Sequence, residues 1–279
     1  MQHQESTFKG SEGLALYYQA WLPDTPAIGV LVIVHGHGEH SGRYPRVVDH
    51  LVPQGFAVYA LDHRGHGRSP GQRGYVNNMA DFRGDVAALV QLAAAAQPNI
   101  PLFVMGHSLG GLIILDYVLH QPEGLRGVIA SAPAVGSVGV SPILLQVSRV
   151  LSRVWPTFSL ETGLDVMGIS RDPQEVQAYQ NDPLVHGKGT ARLATEVMDT
   201  AVYCQENAHT LQLPLLMIHG AADIITSPTD SRRFFDNVSG SDKTYIAYDG
   251  GFHESHNDIH YQQVVADISA WLMARLSIA

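Results

Sequence analysis

The chain has 279 residues, 45% hydrophobic and 15% charged, with a formal net charge of −9. That balance suits a large core buried as one domain, or as one domain with an insertion, and argues against disorder. The acidic charge speaks against a nucleic-acid partner, because phosphate binding needs a concentrated basic surface.

Cys204 is the single cysteine, so no internal disulfide can form, and no Cys/His spacing of the zinc type surrounds it. Residues 1–6 lack the basic and apolar regions of a signal peptide, and no apolar run is long enough to span a bilayer. A soluble, cytoplasmic protein is therefore expected.

Residues 6–21 predict a hairpin, with Gly10-Ser11-Glu12-Gly13 as the turn and 14–21 as the return strand. Pro23 and Pro26 break the pattern. Residues 28–34, almost all β-branched or aliphatic, read as a strand covered on both faces, ending in His35-Gly36-His37-Gly38. A helix over 45–52 and a strand over 56–61 follow. Next comes the Gly- and His-rich stretch Asp62-His63-Arg64-Gly65-His66-Gly67-Arg68-Ser69-Pro70. Its histidines, with His35 or His37, invite a metal reading, but no supporting carboxylate or cysteine arrangement defines a metal geometry. A loop whose polar side chains tie its own backbone is preferred, and no metal is assigned.

Residues 79–96 carry Phe82, Val86, Leu89, Val90 and Ala93 at helical spacing. Pro101-Leu102-Phe103 reads as a short buried strand, 112–119 as a helix packed on a sheet, and 127–131 as another buried strand. Strands and helices thus alternate with short connections, which predicts an α/β fold: a mostly parallel central sheet flanked by helices. The rhythm stops over about 135–211, where no Val/Ile-rich strand is expected and helices are. It resumes with a strand over 213–219, a helix near 231–237, a strand over 243–248 and a closing helix over 259–276. The expected organisation is a core (1–135), an inserted helical cap (136–211) and the rest of the core (212–279). In the cap, Ile143, Leu144, Val147, Val150, Leu151, Val154 and Trp155 form an apolar stripe with Arg149 and Arg153 between. The stripe either packs on the core, or lines an acyl-chain pocket or makes transient contact with a membrane surface.

The chemistry gathers at Val104-Met105-Gly106-His107-Ser108-Leu109-Gly110-Gly111, a Gly-x-Ser-x-Gly between strand and helix. A sharp strand-to-helix turn brings backbone close, and Gly106 and Gly110 lack the Cβ atoms that would collide there. The turn presents the Ser108 hydroxyl at a helix N-terminus, which favours developing negative charge. The stretch resembles the nucleophile elbow of α/β-hydrolases. A serine needs a base, and the base an orienting carboxylate, in the chain order Ser, Asp or Glu, His. Asp223, just past the 213–219 strand, is the preferred acid over Asp230 and Asp249. His253, soonest after Gly250-Gly251, is the preferred base over His256 and His260. The oxyanion donors are expected from the backbone N–H groups of Leu109 and His37.

His35-Gly36-His37-Gly38-Glu39-His40-Ser41-Gly42-Arg43-Tyr44 and the elbow resemble the monoacylglycerol lipase and lysophospholipase branch of α/β-hydrolases (the serine aminopeptidase-like hydrolases). The stretches 62–69 and Tyr179-Gln180-Asn181-Asp182-Pro183-Leu184 strengthen the likeness. The resemblance implies cofactor-free hydrolysis of monoacylglycerols, lysophospholipids or similar carboxylic esters, so the expected partner is a small lipid ester. It also places Glu39, Arg43, His107, Tyr179 and His256 where relatives shape a polar pocket for glycerol. Glu39 and Arg43 suit hydroxyl recognition, and equally a structural ion pair. One departure is His37, where relatives usually carry a small residue. A short-chain carboxylesterase, a peptidase or a non-catalytic binding protein of this fold remain as alternatives; oligomeric state is left open.

Overall fold

The computed structural model describes residues 1–136 and 142–276. Eight strands form one sheet in the order β1-β2-β4-β3-β5-β6-β9-β10. They are β1 (Gln2–Lys9), β2 (Ala15–Leu22), β3 (Gly29–Val34), β4 (Phe56–Leu61), β5 (Leu102–His107), β6 (Gly127–Ser131), β9 (Leu215–Gly220) and β10 (Lys243–Tyr248). The β1–β2 and β2–β4 pairs are antiparallel and the other neighbours parallel. β1 begins four residues before the expected hairpin start, and β5 runs on to His107, through half of the motif read as a turn.

The central strands are buried along their whole length because both sheet faces are covered. Val30, Val32 and Val34 belong to one core, and the intervening Leu31 and Ile33 to the other. This is the two-residue alternation of a strand sandwiched between helix layers. One layer contains α2 (Met79–Ala96), α3 (Leu109–His120) and α6 (Ala191–Asn207); the opposite layer contains α1 (Pro45–Leu51) and α8 (Tyr261–Met273). α2 starts on a capping box, with Asn78 and Asp81 each accepting the other's backbone N–H. α7 (Pro228–Asn237) lies between β9 and β10 in the chain.

Between β6 and β9 the chain leaves the sheet for α4 (Pro142–Val154), β7 (Ser159–Glu161), α5 (Pro173–Asn181), β8 (Lys188–Thr190) and α6. No described strand here is Val/Ile-rich, but a short polar pair occurs. β7 and β8 pair antiparallel, with Ser159 opposite Thr190. The pair has no apolar run, and Thr190 is held instead by its N–H and hydroxyl on the Gly74 carbonyl, at 2.9 and 2.8 Å.

Within α4, Ser152 faces α6 through a 2.9 Å hydrogen bond to Thr195. Val150 and Val154, and Trp155 just past the helix, are 62%, 78% and 57% exposed. The side chains of Ile143, Leu144 and Val147 of the stripe lie outside what the structure describes. No described helix is long and apolar enough to cross a membrane.

β3 leads to β4 on one side while β5 lies on the other, so the strand order reverses at the β3–β5 pair. A crevice at the carboxyl ends of such neighbours is the habitual ligand site of a parallel sheet. Val34 pairs with Gly106, and His107 with Ser131, bringing the ends of β3, β5 and β6 level.

Candidate active site

Ser108 follows β5 directly and is the N-cap of α3, at φ 54° and ψ −116°. A non-glycine residue at positive φ is strained and persists only where its surroundings fix it. Here the Ser108 N–H donates to the Ser131 carbonyl, and its carbonyl accepts from Ala134 and Leu112, all within 3.1 Å. The flanking glycines are required by close approach. A Cβ on Gly106 would lie 2.3 Å from the Gly110 carbonyl oxygen, and one on Gly110 2.0 Å from that of Val34.

Asp223 stands in the turn after β9, where its Oδ1 accepts the N–H groups of Ile225 and Thr226 at 2.7 and 3.1 Å. Its Oδ2 accepts His253 Nδ1–H at 2.7 Å, His219 Nε2–H at 3.0 Å and the Thr226 hydroxyl at 2.9 Å. Burial opposes the charged form, yet the facing His253 and the hydrogen bonds from His219 and His253 hold the carboxyl well below the usual carboxylate range. With Nδ1 engaged, the remaining His253 nitrogen, Nε2, is left as the acceptor. His219, the next-to-last residue of β9, is fully buried and was missed from sequence, although a histidine four residues before the acid is legible there.

The rival residues lie elsewhere. Asp249 is exposed, and Asp230 pairs with Arg233 in α7 at 2.9 Å. His256 stacks on Tyr44, with ring centroids 4.9 Å apart, and His260 stacks on Tyr248 at 5.1 Å.

Ser108 and His253 line a cavity of about 50 Å³ together with His37, Glu39, His107 and Tyr179. Leu164, Ile169 and Ile225 form its apolar wall. The N–H groups of His37 and Leu109 donate no hydrogen bond among the described residues. The His37 ring turns toward His66 and His186, at 5.5 and 5.6 Å between centroids, and both its nitrogens are shielded without partners.

Arg43 and His256 stand behind the cavity wall. Arg43 donates Nη2–H to Glu254 at 2.6 Å, makes an ion pair with Glu39 at 3.4 Å, and covers the Tyr179 ring at 4.7 Å. Its shortest acid contact is thus Glu254, which sequence reading missed and which itself lines the cavity. Glu39 also accepts the Gly36 N–H at 2.6 Å and the Tyr44 hydroxyl at 2.9 Å. Burial and the adjacent Glu254 push the Glu39 carboxyl up. Burial works against Glu254 too, but Arg43 and the hydrogen bonds from Asn257 and Arg43 outweigh it and keep its carboxyl low. Burial, with His253 and His256 nearby, drives the His107 imidazole far down.

The segment between β6 and β9 is tied to these loops. His186 donates its N–H to the Gly38 carbonyl at 2.9 Å, and His40 meets Asp182 at 2.8 Å. The Glu254 N–H donates to the Ile169 carbonyl at 2.8 Å.

Behind the His37 turn, the 62–70 loop ties its own backbone and its neighbours. Asp62 accepts Ser41 and Arg68 N–H groups, each at 2.8 Å, and His66 Nδ1–H donates to the Arg64 carbonyl at 3.1 Å. His63 donates twice to His35, its N–H to the ring Nε2 at 2.9 Å and its ring Nε2–H to the carbonyl at 3.0 Å. Among the described residues, no group of three or more His, Cys, Asp or Glu could hold a metal ion.

Residues 25–260 match the model of the family described as serine aminopeptidase, S33. The chain is 38% identical to the monoacylglycerol lipase of Mycolicibacterium smegmatis over 274 residues, 98% of both chains. It is 28% identical to the monoglyceride lipase of Rattus norvegicus, covering 96% of this chain and 90% of that one. The crystal structure of the Paleococcus ferrophilus monoacylglycerol lipase superposes with a TM-score of 0.87 at 35% identity, over 93% of this chain and 99% of that one. Sheet order, elbow and whole-length similarity agree: the chain belongs to the serine aminopeptidase S33 family and has the α/β-hydrolase fold.

Proposed function

We propose that the protein is a serine ester hydrolase that cleaves monoacylglycerols through an acyl-enzyme. The observation that carries the reading is the 2.7 Å Asp223–His253 hydrogen bond, with Ser108 and His253 on one cavity in a chain similar along its length to monoacylglycerol lipases. Ser108 Oγ attacks the ester carbonyl as His253 Nε2 takes its proton. Asp223 fixes the histidine tautomer and stabilises the imidazolium. The backbone N–H groups of His37 and Leu109 receive the developing oxyanion, each such donor typically contributing about 10²–10³ in turnover. His253 then protonates the departing glycerol and later activates water. Glu39, His107 and Tyr179 meet the glycerol; Arg43 and His256 support them from behind. No cofactor takes part.

We read residues 136–211 as the cap, between core segments 1–135 and 212–279. Its exposed Val150, Val154 and Trp155, flanked by Arg149 and Arg153, suit transient contact with a lipid surface. Replacing Val154 and Trp155 by Ser should weaken co-sedimentation with anionic vesicles and slow turnover of vesicle-borne ester, sparing dispersed short-chain ester. Equal binding by both proteins would remove the contact.

The deciding experiment is glycerol and fatty-acid release from monoacylglycerols of graded chain length. Turnover should peak at medium or long chains and vanish in Ser108→Ala. Asp223→Asn should lose about 10⁴ in kcat, whereas Asp249→Asn should stay near wild type. One observation favours a second reading, a short-chain carboxylesterase: the cavity is much smaller than an acyl chain. Activity confined to short nitrophenyl esters would establish that alternative.

A further inference from the structure

The cavity carries Glu39 and Glu254, and among the described residues no Lys or Arg lines it. Both carboxylates are buried, at 2% and 3% exposure. The nearest cation, Arg43, is already taken: its guanidinium meets both acids and lies over Tyr179. Asn257 Nδ2–H donates to the same Glu254 oxygen at 2.9 Å, so that carboxylate is fixed from two sides. His107 and His256, the other basic groups packed here, are both held neutral by burial. One guanidinium thus faces two acids, with Asp223 a third acid beyond His253.

In a site shielded from water, an anion brought against this arrangement finds no unpaired Lys or Arg among the described residues, and two acidic side chains stand against it. A hydroxyl, by contrast, can donate to a carboxylate oxygen; Glu39 Oε2 has no hydrogen-bond partner of its own. We propose that Glu39 and Glu254 form an acidic recess that selects esters of uncharged or cationic alcohols and rejects those whose alcohol bears a phosphate. This deepens, and rests on, the monoacylglycerol reading. Glu254 is the specificity-determining member, because it supplies the carboxylate that leaves Arg43 with no charge to spare for a substrate anion.

The test compares kcat/KM for four esters of one acyl chain: 1-monoacylglycerol, the 1-acylglycerol 3-phosphate, its uncharged dimethyl phosphotriester, and the acylcholine. The phosphate monoester should be slower than monoacylglycerol by about 10²-fold or more. The triester and acylcholine should stay within about tenfold, so that charge and not bulk explains the gap. Glu254→Gln, which keeps an oxygen for Arg43, should narrow the gap by about tenfold, mainly through KM for the phosphate ester. Glu254→Asp should preserve the gap, and Glu39→Gln should narrow it independently should the first variant fold poorly. Comparable wild-type rates on phosphate ester and monoacylglycerol, or an unchanged gap in both Gln variants, would overturn the proposal. Absence of turnover on every glycerol ester, with short nitrophenyl esters still cleaved, refutes the monoacylglycerol reading and this inference with it.

Discussion

Two buried polar clusters flank the turn after β3, and they solve the cost of burial in opposite ways. On one side Arg43 and Glu254 keep opposite charges and pair them, beside Glu39, which burial and Glu254 raise to about 7. On the other, His35, His37, His63, His66 and His186 pack ring to ring, with centroids from 4.2 to 5.9 Å apart, and stay neutral. Burial, with neighbouring imidazoles, drives His35 and His66 well down, and burial first of all takes His37 and His63 to about 4. A paired cluster fails when a partner is removed; a neutral one fails when protons are added. The oxyanion turn therefore rests between a mutation-sensitive wall and an acid-sensitive one.

Acid should break the comparison hardest. A histidine of ordinary affinity in the unfolded chain but about 4 in the folded one binds more protons when unfolded. Its stabilising contribution is intact above about 6.5 and falls as pH drops toward 4. His37 and His63 should each cost on the order of 2 kcal/mol by pH 5, so urea midpoints should fall steeply from pH 7 to 5. Glu39 has the opposite sign, because its raised carboxyl binds a proton more readily when folded, so acidification relieves it. Glu254, whose carboxyl is lowered, loses its contribution only below its ordinary value, so from pH 7 to 5 Glu39 acts alone and offsets part of the histidine slope. A flat midpoint over that range would remove the contrast. At fixed neutral pH the ranking reverses. Arg43→Met strands two buried carboxylates and should cost about 3–5 kcal/mol. His66→Leu loses one hydrogen bond and a ring nitrogen that has no partner, and should cost about 1 kcal/mol. It should also flatten the acid slope. Similar urea midpoints for the two variants would show that the clusters are not held together differently.

Much of the sheet is legible in the chain because its strands are covered on both faces. Runs such as Phe56–Leu61 and Gly127–Ser131 can hardly be anything else. The Ser108 elbow is legible too, since its glycines are demanded by backbone contact. What stays hidden depends on distance along the chain. Glu254 meets Arg43 across 211 residues, and nothing around either residue announces the other. His186 reaches His37 and His66 only because the segment between β6 and β9 folds back over the turn. β7 and β8 escape for a related reason: Ser159–Glu161 and Lys188–Thr190 are extended by what they touch, not by their own preference.

The backbone of Ser108 is pinned by Ser131 and Ala134, at the end of a different strand and in the connection beyond it. The Gly-x-Ser-x-Gly letters are therefore only half of the elbow; the other half is written some 25 residues downstream. The device is not portable. Moved into another strand-to-helix turn, Val104 to Gly111 would keep its spelling and lose the anchors that hold Ser108 at positive φ, and the serine would relax into an ordinary helix cap.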